Sequence, residues 1–434
     1  MRRPRLFSRI DEELVAASRE ARLGVGGLGP GLITGVADDD PSGISTYTVV
    51  GASYGYQLLW TSPLTLPLNI AVQDICARIG VVTGNGLGAV IARRYGRGLL
   101  FPLVLLLLVA NIVNIGADIR AIAAAIDLLT GVPTLVLVLP VGAAIALAEV
   151  VVPYPTLARW LKLLTLVVFA YVVGAFFAHP DWSAAGKATV LPKVKFDSGL
   201  LAAIVAILGT TISPYLFFWQ TSEEVEEEEA RGVRPGELGQ SQMRTLLHAA
   251  RLDVATGMVM ANVGFYFVVL TAAAALHASG ETQVTTAAEA AAALKPLAGS
   301  GASLLFALGI IGTGVLAIPV LAGSSAYATA ELFGWREGLS STLRQAPQFY
   351  GVIALATVLG IAMSFAGVSE IRALYVAAIV NGVVAPVLLV VIMLAAHDPQ
   401  VLGAHRPGVT TLTVGWIATA LMTLAALAMA VSAI

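Results

Sequence analysis

Apolar residues form eleven runs along the chain, and each run is long enough to cross a membrane. A transmembrane helix needs about 20 mostly apolar residues. The pattern predicts spans at about 29–51, 56–80, 99–128, 132–152, 156–178, 198–220, 252–276, 300–332, 348–366, 371–395 and 409–433. A polar loop follows the fifth span, and a charged loop at 221–249 is expected after the sixth. We therefore expect an all-α polytopic membrane protein.

Two of these spans are interrupted by polar residues and proline. The first contains GVADDDPSG at 35–43, and the sixth breaks near Ser213 and Pro214. Proline removes a backbone donor and disrupts the preceding helical turn. Breaks that lie five spans apart are typical of two five-helix inverted repeats whose discontinuous helices form a site near the midplane. The repeats are predicted at 29–178 and 198–395.

Lysine and arginine residues set the predicted orientation, because cytoplasmic loops carry more of them. With the N-terminus inside, the outer loops hold only Lys187, Lys193, Lys195 and Lys295. The sequence thus predicts a cytoplasmic N-terminal segment at 1–28, an extracellular loop at 179–197, and a loop with the eleventh span at 396–434. A bacterial-type inner or plasma membrane is the expected location. No apolar stretch with a cleavage site follows the charged start, so no cleaved signal peptide is expected.

Composition supports a membrane protein and excludes several functions. Charged residues make up 12% of the 434 residues, against about 25% in soluble domains. The net charge of −2 favours no nucleic-acid partner. The single cysteine, Cys76, allows no internal disulfide. We find no nucleophile–base pair, cofactor motif or His/Cys cluster, and expect neither an enzyme nor a bound cofactor. No obligatory protein partner is inferred.

The break in the first span carries the chemistry for a cation site. Carboxylates at membrane depth are costly and usually mark an ion path. Backbone carbonyls freed by a break add further oxygen ligands, which hard cations prefer. We expect Asp40 to be the main charged ligand, with carbonyls near Ala37 contributing. The alternative is that the DDDP motif only caps a helix at the membrane surface; the preceding GLGPGLITGVA is too short to span alone.

Hydroxyl residues precede the proline of the sixth span. Thr210 and Ser213 are expected to contribute to the same site, directly or through water. For Thr211, ligation and a hydrogen bond to freed backbone remain equally open.

The two broken spans resemble those of the Nramp metal-ion transporters. GPGLITGVADDDPSGISTYTVVGASYGYQLLW is similar to that family's first span, with its Asp-Pro-Gly-Asn signature and a following QYGY-like stretch and LLW. LGTTISPYLFFWQ resembles the second motif mainly by its proline and flanks. The span count matches along nearly the whole chain. The resemblance implies a LeuT-like fold and transport of divalent cations.

Departures from the family pattern suggest which ion is carried. The motif aspartate falls on Asp40, but the metal-binding asparagine falls on Gly43, the carbonyl-donating alanine on Thr210, and the methionine on Ser213. Thioethers favour softer metals, whereas oxygen ligands favour Mg²⁺, which tends to keep several waters. The pattern is similar to the Nramp-related magnesium transporters. Asp39, and less so Asp38, would then serve a hydrated ion through water, or pair with nearby donors.

The family's proton relay lacks several of its parts. Tyr215 occupies the position of a histidine after the sixth-span proline, and Ala121 that of an acid in the third span beyond Asp118. The ninth span has no counterpart of the paired arginines. We therefore expect uncoupled, gradient-driven import of Mg²⁺, and of Mn²⁺ as well, by alternating access.

Other polar residues in the spans have open roles. Asn111, Asn114 and Asp118 share one face of the third span and, with Arg120 and Asp127, would either line an aqueous path or form interhelical bonds. Asn262 and Asn381 carry the same two alternatives. The acidic run EEVEEEE at 223–229 is expected to be solvated and mobile.

Three rival functions remain open. They are a proton-coupled Mn²⁺/Fe²⁺ importer, an organic-solute carrier of the same fold, and a channel or metal sensor. The missing methionine and histidine disfavour the first, and three acids at the break would repel a carboxylate substrate of the second.

Overall fold

The computed structural model describes residues 28–152, 154–192, 198–282, 284, 286–365 and 370–432. All regular secondary structure in these ranges is helical, as the sequence predicted. Most of the predicted N-terminal segment, with Lys193 and Lys195, lies outside the described residues.

The helices follow the predicted order of spans. The first span comprises two halves, Pro30–Ala37 and Pro41–Tyr54, and the sixth comprises Ser198–Thr211 and Pro214–Ala230. Spans two to five are Thr61–Thr83, Arg97–Thr130, Thr134–Val151 and Tyr154–Phe177, the last with a 3₁₀ turn at Thr165–Val167. Spans seven to eleven are Gln240–Ala272 with a π-helical end at Ala273–His277, Ala287–Phe333, Pro347–Phe365, Glu370–His397 and Val409–Ser432.

Short helices connect several of these spans. They are the 3₁₀ turn Gly55–Leu58 and the helices Leu87–Arg94 and Trp182–Val190, followed by Pro235–Glu237, Pro399–Leu402 and Gly403–His405. Gly299 has φ of +89° and divides the eighth helix, so the span proper begins after it, near the predicted residue 300. A left-handed φ of this kind favours glycine.

By length and composition, up to ten of the eleven predicted spans are found in the described part of the chain. Nine helices of the described part are individually long and apolar enough to cross a membrane, and the bent pair ending at His405 makes a tenth. The two halves of the first predicted span, of 8 and 14 residues, are each too short to qualify alone. Each break begins a new helix with proline at its first position, where the missing N–H costs nothing.

The prediction of a charged loop at 221–249 is wrong for most of these residues, because they are helical. The second half of the sixth span continues through the acidic run to Ala230, and the seventh helix already begins at Gln240. Glu223, Glu224 and Glu228 are buried, as is Glu226. Four of the six glutamates in the acidic run are therefore buried, because one face of the extended helix packs inside the protein, and Glu229 is exposed.

The first half of the first span, Pro30–Ala37, packs directly on the seventh span. A Cβ atom at Gly35 would lie 2.0 Å from the carbonyl carbon of Gly257, and one at Gly257 would lie 2.0 Å from the oxygen of Gly31. Asp253 accepts hydrogen bonds from the backbone N–H groups of Gly29 at 2.8 Å and Gly31 at 2.7 Å. These bonds satisfy donors that a helix start leaves without intrahelical partners. Glycines and one carboxylate thus fix the position of the first break.

Candidate metal site

The first span leaves the helix over Asp38, Asp39 and Asp40. The Asp40 backbone is extended, with φ −60° and ψ 163°, and its side chain caps the following half-helix. Oδ1 of Asp40 accepts the backbone N–H of Gly43 at 2.6 Å and the hydroxyl of Ser42 at 2.7 Å. The carboxylate is thereby held beside the helix N-terminus, where the helix dipole favours negative charge.

The sixth span leaves the helix over Ile212 and Ser213. The Ser213 hydroxyl donates to the carbonyl of Thr210 at 3.0 Å, across the break. The Thr211 hydroxyl donates to the carbonyl of Ile207 at 2.9 Å, one helical turn back. Of the two alternatives for Thr211, the structure has the hydrogen bond to backbone, and this side chain bonds within its own helix.

The two breaks meet around Gly43. The position of a Cβ atom at Gly43 would lie 3.1 Å from the main-chain oxygen of Asp38, 3.1 Å from Oγ1 of Thr210, and 3.3 Å from Oδ1 of Asp40. Three oxygen atoms from both broken spans therefore surround the space that the missing side chain leaves free. A carboxylate, a carbonyl and a hydroxyl are the donor types that hard divalent cations take.

The carbonyl of Ala37 has a partner within the protein. The buried Tyr215 hydroxyl donates to it at 2.8 Å. Tyr215 thus joins the second half of the sixth span to the end of the first half of the first span. A carbonyl oxygen has a second lone pair, so Ala37 retains one acceptor position for a cation or its water.

Asp39 and Asp38 lie in different surroundings. A Cβ atom at Gly264 would lie 2.2 Å from Oδ2 of Asp39, so this carboxylate packs against the seventh span. Both Asp39 oxygens are buried and have no hydrogen-bond partner among the described residues. Asp38 contributes its main-chain oxygen to the space at Gly43, while its own Oδ1 also lacks a described partner.

The site is not a cluster of acids. No group of three or more His, Cys, Asp or Glu side chains in the described ranges is arranged to hold a metal ion. The consecutive aspartates therefore do not converge on one point, because successive residues at the break face different helices. Carbonyl and hydroxyl oxygens supply the remaining donors.

Several of the other polar residues make structural bonds. The amide nitrogen of Asn111 donates to Oγ of Ser324 and of Ser325, each at 3.0 Å, on the eighth span. The Ser62 hydroxyl donates to Oδ1 of Asn262 at 3.1 Å. Oδ2 of Asp127 accepts from the backbone and hydroxyl of Thr134 at 2.9 and 2.8 Å, which caps the fourth span. Asp118 is fully buried, and Oδ1 of Asn381 is buried without a partner in the described part of the chain.

A buried network that the sequence reasoning missed lies at the end of the sixth span. The Tyr327 hydroxyl is 2.9 Å from Oε1 of both Glu223 and Glu226, and the backbone N–H of Ser340 donates to Oε2 of Glu226 at 3.0 Å. Glu331 accepts from the Ser222 hydroxyl at 2.8 Å and from the first N–H groups of helix Leu87–Arg94. One sequence feature could have indicated this network: helix-forming residues continue without a break from the sixth span through the acidic run at 223–229.

A family model described as Nramp, natural resistance-associated macrophage protein-like, matches residues 31–432. The chain belongs to the Nramp family. The match covers both broken spans and nearly all described residues. The chain is therefore a multi-pass membrane protein of a family of divalent metal-ion transporters.

Solved structures confirm the fold class. The manganese transporter of Eremococcus coleocola, in complex with an aromatic bis-isothiourea compound, has a TM-score of 0.72 and 19% identity over 96% of this chain and 86% of that one. Mhp1, a nucleobase-cation-symport-1 family transporter in a closed conformation, has a TM-score of 0.58 and 15% identity over 93% and 92% of the two chains. This Nramp chain has the LeuT-like fold expected from its broken first and sixth spans.

Proposed function

We propose that this Nramp protein imports Mg²⁺, and Mn²⁺ as well, as partly hydrated ions by alternating access without proton coupling. The observation that carries the proposal is the space at Gly43, which Asp38, Asp40 and Thr210 line with oxygen atoms. An all-oxygen donor set suits a hard cation that dehydrates reluctantly. Ser213 supplies a hydroxyl where a thioether would favour softer metals.

Tyr215 supports transport without proton coupling. Its hydroxyl donates to the Ala37 carbonyl, and a tyrosine side chain keeps its proton at neutral pH. Histidine is the side chain suited to that role. The same proposal includes a cytoplasmic N-terminus in a bacterial-type inner or plasma membrane, from the distribution of lysine and arginine.

A proton-coupled manganese importer is the second candidate. The Eremococcus coleocola structures are of a manganese transporter, and they cover most of this chain. Their identity of 19% supports the fold. The choice between the two candidates therefore depends on the ion and on proton movement.

Uptake into proteoliposomes separates the candidates. We would record Mg²⁺ and Mn²⁺ entry together with internal pH for wild type, Asp40→Asn and Asp127→Asn. Asp40→Asn keeps an oxygen that can cap the half-helix but removes the negative charge. Asp127→Asn is the matched control: it makes the same change near the end of the third span, where Asp127 caps the fourth span. Mg²⁺ entry without acidification, lost only in Asp40→Asn, is the expected result. Mn²⁺ entry with acidification and no Mg²⁺ flux would instead establish the second candidate.

A further inference from the structure

A cavity of about 290 Å³ lies apart from the metal site, where the second and seventh spans meet the segment between the tenth and eleventh. Its polar lining consists of Arg78, Arg244, His248, Arg251, His405 and Arg406. Arg244, His248 and Arg251 follow one face of the seventh helix, because residues four and seven positions apart lie on the same side. Arg78 comes from the last turns of the second span. Three separate parts of the chain therefore direct positive charge into one space.

Most of this charge has no counterion within the described part of the chain. Asp74 lies 3.7 Å from Arg78 and near enough to Arg251 to interact electrostatically. Among the residues that the structure describes, Arg244, Arg251 and Arg406 have no carboxylate oxygen within ion-pair distance. Within the described ranges, four guanidinium groups thus face one neighbouring carboxylate, that of Asp74. Like charges held together in this way repel one another unless an anion joins them.

Arg78 is held in place for such an anion. One of its terminal nitrogens donates to the carbonyl of His405 at 3.1 Å, and its Nε is buried without a partner in the described chain. Its side chain is only 14% exposed. A guanidinium group presents several N–H donors in a planar fork that matches phosphate oxygens. The bond to His405 fixes the fork at the wall of the cavity.

We propose that this cavity binds a phosphate group, either of an anionic phospholipid headgroup or of free inorganic phosphate. Its volume lies just below the usual range of ligand pockets, about 300–1,000 Å³, and has room for a tetrahedral anion. Basic pockets between transmembrane helices on the cytoplasmic side bind anionic lipid headgroups, and the proposed topology places this cavity on that side. The bound phosphate would join the second and seventh spans to the segment before the eleventh. This binding is separate from the cation site and does not require the proposed transport.

The test uses the purified, delipidated full-length protein and follows its thermal unfolding midpoint. One arm adds sodium phosphate, with sodium chloride at matched ionic strength as reference. The other adds phosphatidylglycerol in mixed micelles, with phosphatidylcholine as reference, and native mass spectrometry counts the bound lipid. The cavity variants are the double substitution Arg244→Gln/Arg251→Gln and the single substitution Arg406→Gln. The control is Arg234→Gln. Arg234 is exposed in the loop before the seventh helix and pairs with Glu237 at 3.4 Å.

We expect saturable stabilisation of wild type and of Arg234→Gln by at least one probe. Loss of each cavity arginine should weaken binding roughly tenfold, and the double variant about a hundredfold, since a charged hydrogen bond is replaced. Stabilisation by phosphate alone identifies a soluble anion, and stabilisation by phosphatidylglycerol alone identifies a lipid. Equal binding by wild type and all cavity variants that elute as monodisperse protein, or no effect of either probe, would overturn the proposal.

Discussion

Replacing Gly43 by alanine places a methyl group in the space where the first and sixth spans meet. The methyl carbon would lie 3.1–3.3 Å from the oxygens of Asp38, Thr210 and Asp40. These are tight contacts, so the neighbouring atoms must give way by a few tenths of an ångström. The same volume is then closed to a cation, whose oxygen ligands lie about 2.1 Å away for Mg²⁺, or to its water.

The magnitude follows from the contacts that the methyl group displaces. Each interaction between a charge and a polar oxygen contributes about 1.5–3 kcal/mol, so losing one weakens cation binding roughly tenfold to a hundredfold. The half-helix itself should not lose stability, because alanine is favoured over glycine within helices by about 0.5–1 kcal/mol. Binding and folding should therefore respond in opposite directions.

The assay is isothermal titration of Mg²⁺ and Mn²⁺ into purified protein, with thermal unfolding measured on the same samples. Gly209→Ala is the matched control, because a Cβ atom there meets nothing within 4 Å and the residue directly precedes Thr210. Gly43→Ser adds a hydroxyl to the same space and should retain more affinity than Gly43→Ala. If folded Gly43→Ala binds both ions as wild type does, the three oxygens are not the cation site.

Three further predictions concern the buried acidic network, the contact between the first and seventh spans, and Tyr215. Burial and the carboxylates of Glu331, Glu226 and Glu229 raise the pKa of Glu337 from 4.5 to about 9. A raised folded pKa stabilises the protein below pH 4.5, and this contribution is lost as pH rises toward 9, by at most about 1.4 kcal/mol per pH unit. Glu337→Gln should flatten the decline of the unfolding midpoint over that range; an unchanged slope would contradict the assignment. Asp253→Ala should destabilise the fold by about 3 kcal/mol, because the N–H groups of Gly29 and Gly31 lose their acceptor; chemical denaturation measures this, and a change below about 1 kcal/mol would show that water replaces the carboxylate. Tyr215→Phe should lower stability by about 1 kcal/mol, because one hydrogen bond is lost. Cation uptake should persist in this variant, still without internal acidification. A loss of uptake at unchanged stability would instead give the hydroxyl a direct role in transport.

The sequence predicts the spans and their breaks well, because both depend on local properties. Proline at 41 and 214 begins each second half-helix where the pattern placed it, and the apolar runs match the helices within a few residues except next to the acidic run. The hydropathy pattern wrongly predicted a solvated loop at Glu223–Glu228, because a hydropathy scale treats every charged residue as exposed to water. Burial of these residues depends on Tyr327 and Ser340, which come from the distant eighth span and the loop after it.

The composition of the site could be predicted only in part. Asp40, Gly43 and Thr210 were expected near one another and are brought together. Three consecutive aspartates suggest a shared role, yet Asp39 packs on Gly264 of the seventh span. The direction of each side chain is set by the backbone angles at the break, and these depend on packing against other helices. No local pattern indicated that Asp253 would accept the first N–H groups of the chain's first half-helix.

The glycine contact between Pro30–Ala37 and the seventh span has a mechanical consequence. With Gly31 and Gly35 against Gly257, the two backbones touch without side chains between them that could repack in a second arrangement. Rocking one helix against the other would separate main chains and break both bonds to Asp253. The two helices should therefore move together as one rigid unit during any conformational change of the protein. A covalent link between Pro30–Ala37 and the seventh helix should therefore leave cation uptake into proteoliposomes unchanged.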